Sequence, residues 1–330
     1  MNDLSKELNN KVIAITGASG YIGSALIKEL ENHSVNKIIR ISRKVLLPKD
    51  NIEDWVLDLS HKKSWVKIVS QSDIIFHLSG NTSISVADSN SKDSLISEVL
   101  PIINLINASK EMSCKPRVVF ASTATIYGLT NDLPVSENYS PVPITHYDLH
   151  KFFAEQQLRM ASNSNLIYGI SLRLANVYGP SSSESSSNDR GILSKVTKMS
   201  FENKILQVYG GGEYIRDYIY IDDVISAFLK VSVMNYEEIR KENQIIFNVS
   251  SGIGTSIKDV FNLISREVEK KTGKKLELNN SSWPIGVSEI EKRNFIGSSE
   301  RLKSLTGWVP KTTIENGICS LVNYYSKEYN

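Results

Sequence analysis

The chain has little cysteine. Of its 330 residues only Cys114 and Cys319 are cysteines, far apart and in no metal-ligand spacing. That excludes a disulfide framework and points to reduced structural thiols in a cytoplasmic protein. Charge of one sign is also lacking. The 38 Lys and Arg are balanced by 36 Asp and Glu, mixed along the chain, for a formal net charge of +2. With no basic patch interleaved with aromatics, neither a nucleic-acid nor a membrane partner is expected. Long hydrophobic runs are missing: no apolar stretch approaches the roughly 18–20 residues that span a bilayer. The opening MNDLSKELNN is polar and unlike a signal peptide. Internal repeats are absent. What is left is an ordinary globular composition, 41% hydrophobic and 22% charged, long enough for one large domain or two.

What is there begins with rhythm. KVIAITG (11–17), VNKIIRIS (35–42), DWVLDLS (54–60), DIIFHLSG (73–80), PRVVFAST (116–123) and a stretch of LIYGISLRLANVYG (166–179) read as strands. Helical spacing falls between them, from Tyr21 to about Glu31, near 61–70, from about Lys92 to Met112, and from Tyr147 onward. Strands alternating with helices predict a parallel sheet covered on both faces, an α/β doubly wound fold of Rossmann type. The serine-rich SSSESSSND (181–189) reads as a polar, mobile linker. Beyond it, a helix at 192–202, a short strand in ILQVYG, a helix to about Val233 and a smaller α/β region lack the regular rhythm. Residues 1–180, with parts of 205–250, are therefore expected to form the doubly wound domain, and residues 181–330 mainly a smaller second lobe.

TGASGYIG (16–23) joins the first strand to the first helix and spaces Gly17, Gly20 and Gly23 as G-x-x-G-x-x-G. Glycine permits the tight turn and close approach of a pyrophosphate, and the helix start offers free N–H groups. No Lys-Ser/Thr follows, which disfavours a P-loop NTPase. About 20 residues on, where an acid would hold the ribose 2′-hydroxyl of NAD, stands neutral Ser42, with Arg40 before it and Arg43 and Lys44 after. These cations favour NADP(H) over NAD(H), or are simply solvated strand-end charges. Asp58 is either an adenine contact or an exposed turn residue.

In YDLHK (147–151), Tyr147 and Lys151 stand at i, i+4, on one helix face. Alone, that spacing fits either an ordinary amphipathic helix or a catalytic pair. A lysine cation beside the phenol favours the phenolate and makes it a usable proton donor or acceptor near neutral pH. His150 reads as a helix residue facing away from the chemistry.

Together with VVFASTATIYG (118–128), LRLANVYGP (172–180), RDYIYIDDV (216–224) and LTGWVP (305–310), these motifs resemble the extended short-chain dehydrogenase/reductase family over nearly the whole chain. Its members are NAD(P)-dependent nucleotide-sugar epimerases, dehydratases and ketoreductases. The resemblance implies that Thr123, Tyr147 and Lys151 are catalytic, Tyr147 moving the proton at the sugar C4 oxygen. It implies a dinucleotide site built from Gly17, Gly20, Tyr21, Ile22, Gly23, Ser42, Arg43, Asp58, Leu59, Leu78, Ser79 and Gly80, with Tyr147 and Lys151. It also implies that Thr82, Ser122, Asn176, Val208, Arg216 and Arg293 meet a nucleotide-diphosphate sugar. Each arginine is a phosphate ligand or, alternatively, a surface salt bridge.

Departures are visible. Glu98 and Pro101 stand where the family often has Asn and Gly, and Gly297 where an Asp is common. Ala124 and Thr125 follow Thr123 where 4,6-dehydratases carry Asp-Glu, which disfavours dehydration. A 4-ketoreductase of a 4-keto-6-deoxy sugar nucleotide is the first expectation, because of Ser42 and Arg43. A 4-epimerase with tightly bound NAD is the alternative. A catalytically dead binding member is disfavoured, since the Tyr, the Lys and the hydroxyl are all present. The two helices that carry Leu95 to Ile106 and Tyr147 are expected to pair two copies into a homodimer.

Overall fold

The computed structural model describes residues 4–329 apart from 47, 50, 182–184, 186–190, 242–243 and 275–276. Twelve strands are described: β1 Val12–Thr16, β2 Lys37–Ser42, β3 Ile52–Val56, β4 Ile74–His77, β5 Arg117–Thr123, β6 Tyr168–Leu174, β7 Asn176–Tyr178, β8 Leu206–Tyr209, β9 Ile215–Tyr220, β10 Ile246–Val249, β11 Gly254–Ser256 and β12 Leu278–Ser281. The helices are α1 Leu4–Leu8, α2 Tyr21–Leu30, α3 Lys62–Val69, α4 Ile84–Ser89, α5 Ser91–Met112, α6 His146–Asn163, α7 Gly191–Phe201, α8 Ile221–Val233, α9 Tyr236–Lys241, α10 Ile257–Thr272, α11 Glu300–Thr306 and α12 Ile314–Tyr329.

Seven strands form one parallel sheet in the order β10-β6-β5-β4-β1-β2-β3. The apolar runs follow from this. Strands buried on both faces have no room for a polar alternation, so β4 reads IIFH with all four residues buried. One core packs α2, α8 and the C-terminal elements on one face, around Leu26, Phe76 and Phe228. The other packs α3, α5 and α6 on the opposite face, around Trp65, Phe120 and Leu158. The strand order reverses between β1 and β4, and ligands of such sheets bind at the carboxyl ends beside that switch point. Outside this sheet, β7, β9 and β11 form a three-stranded sheet and β8 pairs with β12.

Two local readings shift, and a third, the helix from about Lys92 to Met112, stands. The strand expected at 54–60 is Ile52–Val56, because Asp58 accepts the Ser60 N–H at 2.8 Å and turns the chain into α3. The short α4 was not foreseen; its signal is Ser83, whose hydroxyl caps the Val86 N–H at 3.3 Å. Helix α5 runs on through Pro101. The serine-rich stretch 181–189 lies outside the described residues, except Ser181 and Ser185.

Candidate active site

Gly17 leaves β1 with φ of +69°, and a Cβ there would sit 2.8 Å from the Ser79 nitrogen. A Cβ at Gly23 would sit 2.2 Å from the Gly17 carbonyl oxygen. Both positions therefore exclude a side chain. Helix α2 starts after Gly20, which brings no capping side chain, and its first turn holds no acid. Its first N–H groups and its positive end are left for an anion. The Thr16 hydroxyl bonds His77 Nδ1 at 2.8 Å and accepts the N–H groups of Leu78 and Ser79 at 3.2 and 3.3 Å, locking the end of β4 against this loop. Tyr21 donates its hydroxyl to the Gly179 carbonyl at 2.9 Å, and Ile22 packs on the core. A backbone cradle that any Cβ would fill, facing an uncapped helix start, fits a pyrophosphate.

At the end of β2, the Ser42 hydroxyl bonds the Lys44 carbonyl and accepts the Lys44 N–H at 3.3 Å, closing a turn that leaves Arg43 exposed. Arg40 does not belong to this charge cluster. It is buried and held by both oxygens of Asp54 on β3, at 2.7 and 2.8 Å. Asp58 is exposed, and the Ser60 backbone N–H holds its carboxyl below the usual range. Leu59 is half-buried, its carbonyl accepting the Trp65 indole at 2.9 Å.

Thr123 ends β5, next to the start of α6. Its hydroxyl lies 2.9 Å from that of Thr125. Thr145 caps α6, so Tyr147 sits half-buried in the first turn. One turn on, the Lys151 ammonium donates to the Ala121 carbonyl of β5 at 3.2 Å, lies 5.1 Å over the Phe120 ring, and pairs with Glu98 Oε2 at 2.9 Å. Ser122 is not in this group. Side chains alternate along a strand, and its hydroxyl turns inward to Glu155 Oε2 at 2.9 Å. His150 faces α5, where Nδ1 meets the Ser94 hydroxyl at 2.9 Å; burial lowers its pKa.

Across from α6, Arg216 and Arg293 are both buried, which excludes the surface salt bridge as a reading of either. Arg216 donates to the carbonyls of Arg293, of Glu291 at 2.6 Å and of Ile215 at 3.2 Å. Burial and then the positive charge of Arg216 push the Arg293 guanidinium down to about 10. Arg293 Nε is buried with no partner among the described residues. Asn176 donates to the Asp217 carbonyl at 3.2 Å. The Val208 side chain is core, leaving only its backbone for a ligand, and Thr82 is exposed beyond β4. The Gly297 N–H donates to Asp217 at 3.1 Å, and a Cβ there would lie 2.6 Å from Ser250 Oγ, which accounts for glycine at this position.

Two carboxylates of this region were not picked out as site residues. Glu98 registered only as a departure. Asp148, directly after Tyr147, is fully buried, and burial raises its pKa against hydrogen bonds from Thr125 and Thr145. An acid at the third position of a helix looks like an ordinary first-turn residue, so the sequence held no further signal for it.

A dinucleotide cradle at the switch point, with a Tyr–Lys pair and a strand-end hydroxyl one strand away, defines the class: a Rossmann-type enzyme of the extended short-chain dehydrogenase/reductase superfamily. Residues 13–250 match the NAD dependent epimerase/dehydratase family, and the chain belongs to it. A UDP-glucose 4-epimerase of Mycoplasma genitalium is 27% identical over 96% of this chain and 97% of its own. A dTDP-4-dehydro-6-deoxyglucose reductase of Escherichia coli is 26% identical over 94% and 96%. The solved structure of a Thermotoga maritima UDP-glucose 4-epimerase with UDP-glucose is 25% identical, covers 97% of this chain and 100% of its own, and has a TM-score of 0.84.

Proposed function

We propose that the protein is a 4-epimerase of a nucleotide-diphosphate sugar, working on a retained NAD. The observation that carries the reading is that Lys151, one turn after Tyr147 on α6, reaches the Ala121 carbonyl of β5, two residues before Thr123, and pairs with Glu98, which rests on Gly80 beside the glycine cradle. Length-wide similarity to UDP-glucose 4-epimerases supports ranking epimerisation above the ketoreductase expected first. In this reading residues 1–180, with parts of 205–250, hold the dinucleotide, and the remainder holds the sugar nucleotide.

The backbone around Gly17, Gly20, Tyr21, Ile22 and Gly23 would hold the pyrophosphate, Asp58 and Leu59 the adenosine end, and Leu78, Ser79 and Gly80 the other half. When bound, the dinucleotide supplies a hydride acceptor and donor at sugar C4. The Tyr147 phenolate takes the C4 hydroxyl proton and later returns it. The Lys151 ammonium stabilises that phenolate, and the Thr123 hydroxyl orients the oxygen. Arg216 and Arg293 suit the diphosphate. They are buried cations with no carboxylate in ion-pair contact among the described residues, and an anion would relieve that. Asn176, Thr82 and the Val208 backbone stand around the same space.

The test is to denature the purified protein, identify any released dinucleotide, and incubate the native protein with UDP-glucose or UDP-galactose. Interconversion with NAD retained in stoichiometric amount supports the reading. An empty protein that leaves both sugars unchanged overturns it.

A second reading rests on the β2 end, where neutral Ser42 stands at the position expected for an acid and Arg43 beside it is exposed, its charge felt by Asp58. That favours NADP(H) and a 4-ketoreductase. Tighter binding of NADPH than NADH, and oxidation of NADPH by a 4-keto-6-deoxy sugar nucleotide, would support it.

A homodimer is part of the proposal. Leu95 and Ile103 on α5, and Phe153 and Met160 on α6, are exposed apolar residues on two helices that pack side by side. Phe153→Glu with Met160→Glu should yield a monomer by light scattering. No helix among the described residues is long and apolar enough to cross a membrane. Two unpaired cysteines suit a reducing compartment such as the cytoplasm.

A further inference from the structure

Glu98 is only 1% exposed. It lies on α5, yet both its oxygens reach other elements. Oε2 stands 2.9 Å from Lys151 Nζ on α6, and Oε1 accepts the Asn81 N–H beyond β4. A Cβ at Gly80 would fall 2.5 Å from Oε1 and 2.7 Å from Oε2, so the carboxylate rests directly on that glycine. One buried group therefore bears on the Lys151 ammonium and on the loop after β4.

The surroundings sharpen its role. Lys151 is itself buried, and Glu98 is its only ion-pair partner among the described residues. A buried ammonium without a counter-ion is strongly disfavoured. From α6 come Tyr147 and His150, with His146 and Asp148 in the same first turn and Glu155 one turn beyond Lys151, where Arg173 pairs with it. His150 has its pKa lowered by burial and by His146, with Glu98 opposing. From β4 comes His77, fully buried, stacked on Phe120 and held down to about 3 by burial, with Lys151 adding to that. His77 is therefore neutral at working pH, and Glu98 supplies the negative charge.

We propose that Glu98 is a positioning residue: it holds Lys151 in place as an ammonium, and its negative charge sets the pH window in which the Tyr147–Lys151 pair works. It acts through Lys151 and does not touch substrate. The inference deepens the epimerase reading and rests on it for the duties of the pair.

The sign follows from electrostatics. An anion raises the proton affinity of every group beside it. Glu98→Gln keeps an acceptor for Asn81 but removes the charge, so both limbs of the rate–pH profile for UDP-glucose conversion should move to lower pH, by about one unit. Glu98→Asp keeps the charge, so its limbs should stay within a few tenths of a unit of wild type while kcat falls. A merely structural role would lower the rate at every pH and leave the limbs of Glu98→Gln in place.

A second measurement needs no substrate. Lys151→Met strands a buried carboxylate and should lower Tm clearly. Adding Glu98→Gln to Lys151→Met should restore most of that loss, so the two changes are not additive. Unmoved or upward-moving limbs in Glu98→Gln, or additive Tm shifts, overturn the inference. If the wild type is empty of dinucleotide and converts neither UDP-glucose nor UDP-galactose, the epimerase reading falls. The melting cycle then decides alone: non-additive shifts uphold the Glu98–Lys151 link and additive shifts overturn it.

Discussion

Two buried ion pairs share one stripe of α6. Tyr147, Lys151 and Glu155 recur every four residues, so they line one face of the helix. Glu155, deeper in, is gripped by Arg173 of β6 through two bonds, at 2.5 and 3.0 Å. Ser122 adds a third bond at 2.9 Å, and Arg173 passes on to Tyr127 at 2.8 Å. Tyr127 donates to Asn248 at 2.7 Å, which donates to the carbonyls of Val135 at 3.0 Å and Ser298 at 3.2 Å. Lys151, nearer the sheet edge, meets Glu98 at 2.9 Å without hydrogen-bond alignment at that oxygen. The inner pair is bonded at both carboxylate oxygens and geometrically fixed by a planar fork, so it ties strands together. The outer pair joins a rotatable point charge to one carboxylate and leaves bonding capacity beside Tyr147. A buried charge serves as a brace where a planar fork and a third donor hold it, and is open to chemistry where a single rotatable cation does.

The largest effect that would test this contrast is on turnover. Tyr147→Phe removes the proposed proton carrier at the end of the stripe and should lower kcat by about 10²–10⁴-fold, while Tm stays close to wild type. A variant that keeps its activity would remove the outer end of the stripe from the chemistry. Arg173→Met attacks the inner end. It leaves Glu155 buried without a cation and should cost about 3–5 kcal/mol in urea unfolding. A loss near zero would mean that the inner pair is not the brace described here.

Ser122→Ala sharpens the boundary between the two. Its hydroxyl bonds Glu155, which keeps both bonds from Arg173. The expected loss is about 1 kcal/mol of stability, with the KM for UDP-glucose unchanged. A raised KM at wild-type stability would return Ser122 to the substrate side.

How far the sequence reached differs between these places. The parallel sheet, the glycine cradle and the Tyr147–Lys151 spacing are local signals, written in runs of a few residues around TGASGYIG and YDLHK, and they read directly. Ser122 and Arg40 could not be read this way. Whether a strand residue faces the site or the core depends on which face the rest of the sheet covers, and Arg40 finds Asp54 only once β2 and β3 pair. Glu98 and Lys151 are separated by most of α5, all of β5 and the loop before α6, so their contact is a product of the fold. Sequence could mark Glu98 as odd but could not supply its partner.

Asp148 is the smallest and most discriminating case. It lies one residue from Tyr147, with Oδ2 accepting from Thr145 at 2.7 Å and Oδ1 buried without a hydrogen-bond partner among the described residues. Its pKa is raised, chiefly by burial, although Thr125, Thr145 and Arg293 pull the other way. A raised carboxyl keeps its proton in the folded state after the unfolded chain has lost it. Stability from this group is therefore full below the ordinary carboxylate pKa, about 4, and is lost as pH rises through the folded value. Asp148→Asn has no proton to lose. The Tm of Asp148→Asn relative to wild type should therefore climb as pH rises from about 4 and level off once the folded carboxyl has ionised. A difference that stays flat with pH would mean that Asp148 is as well matched as Glu155. A climbing one puts a reluctant acid beside the Glu98–Lys151 pair, and mismatched charge on α6 then collects where Tyr147 is proposed to move a proton.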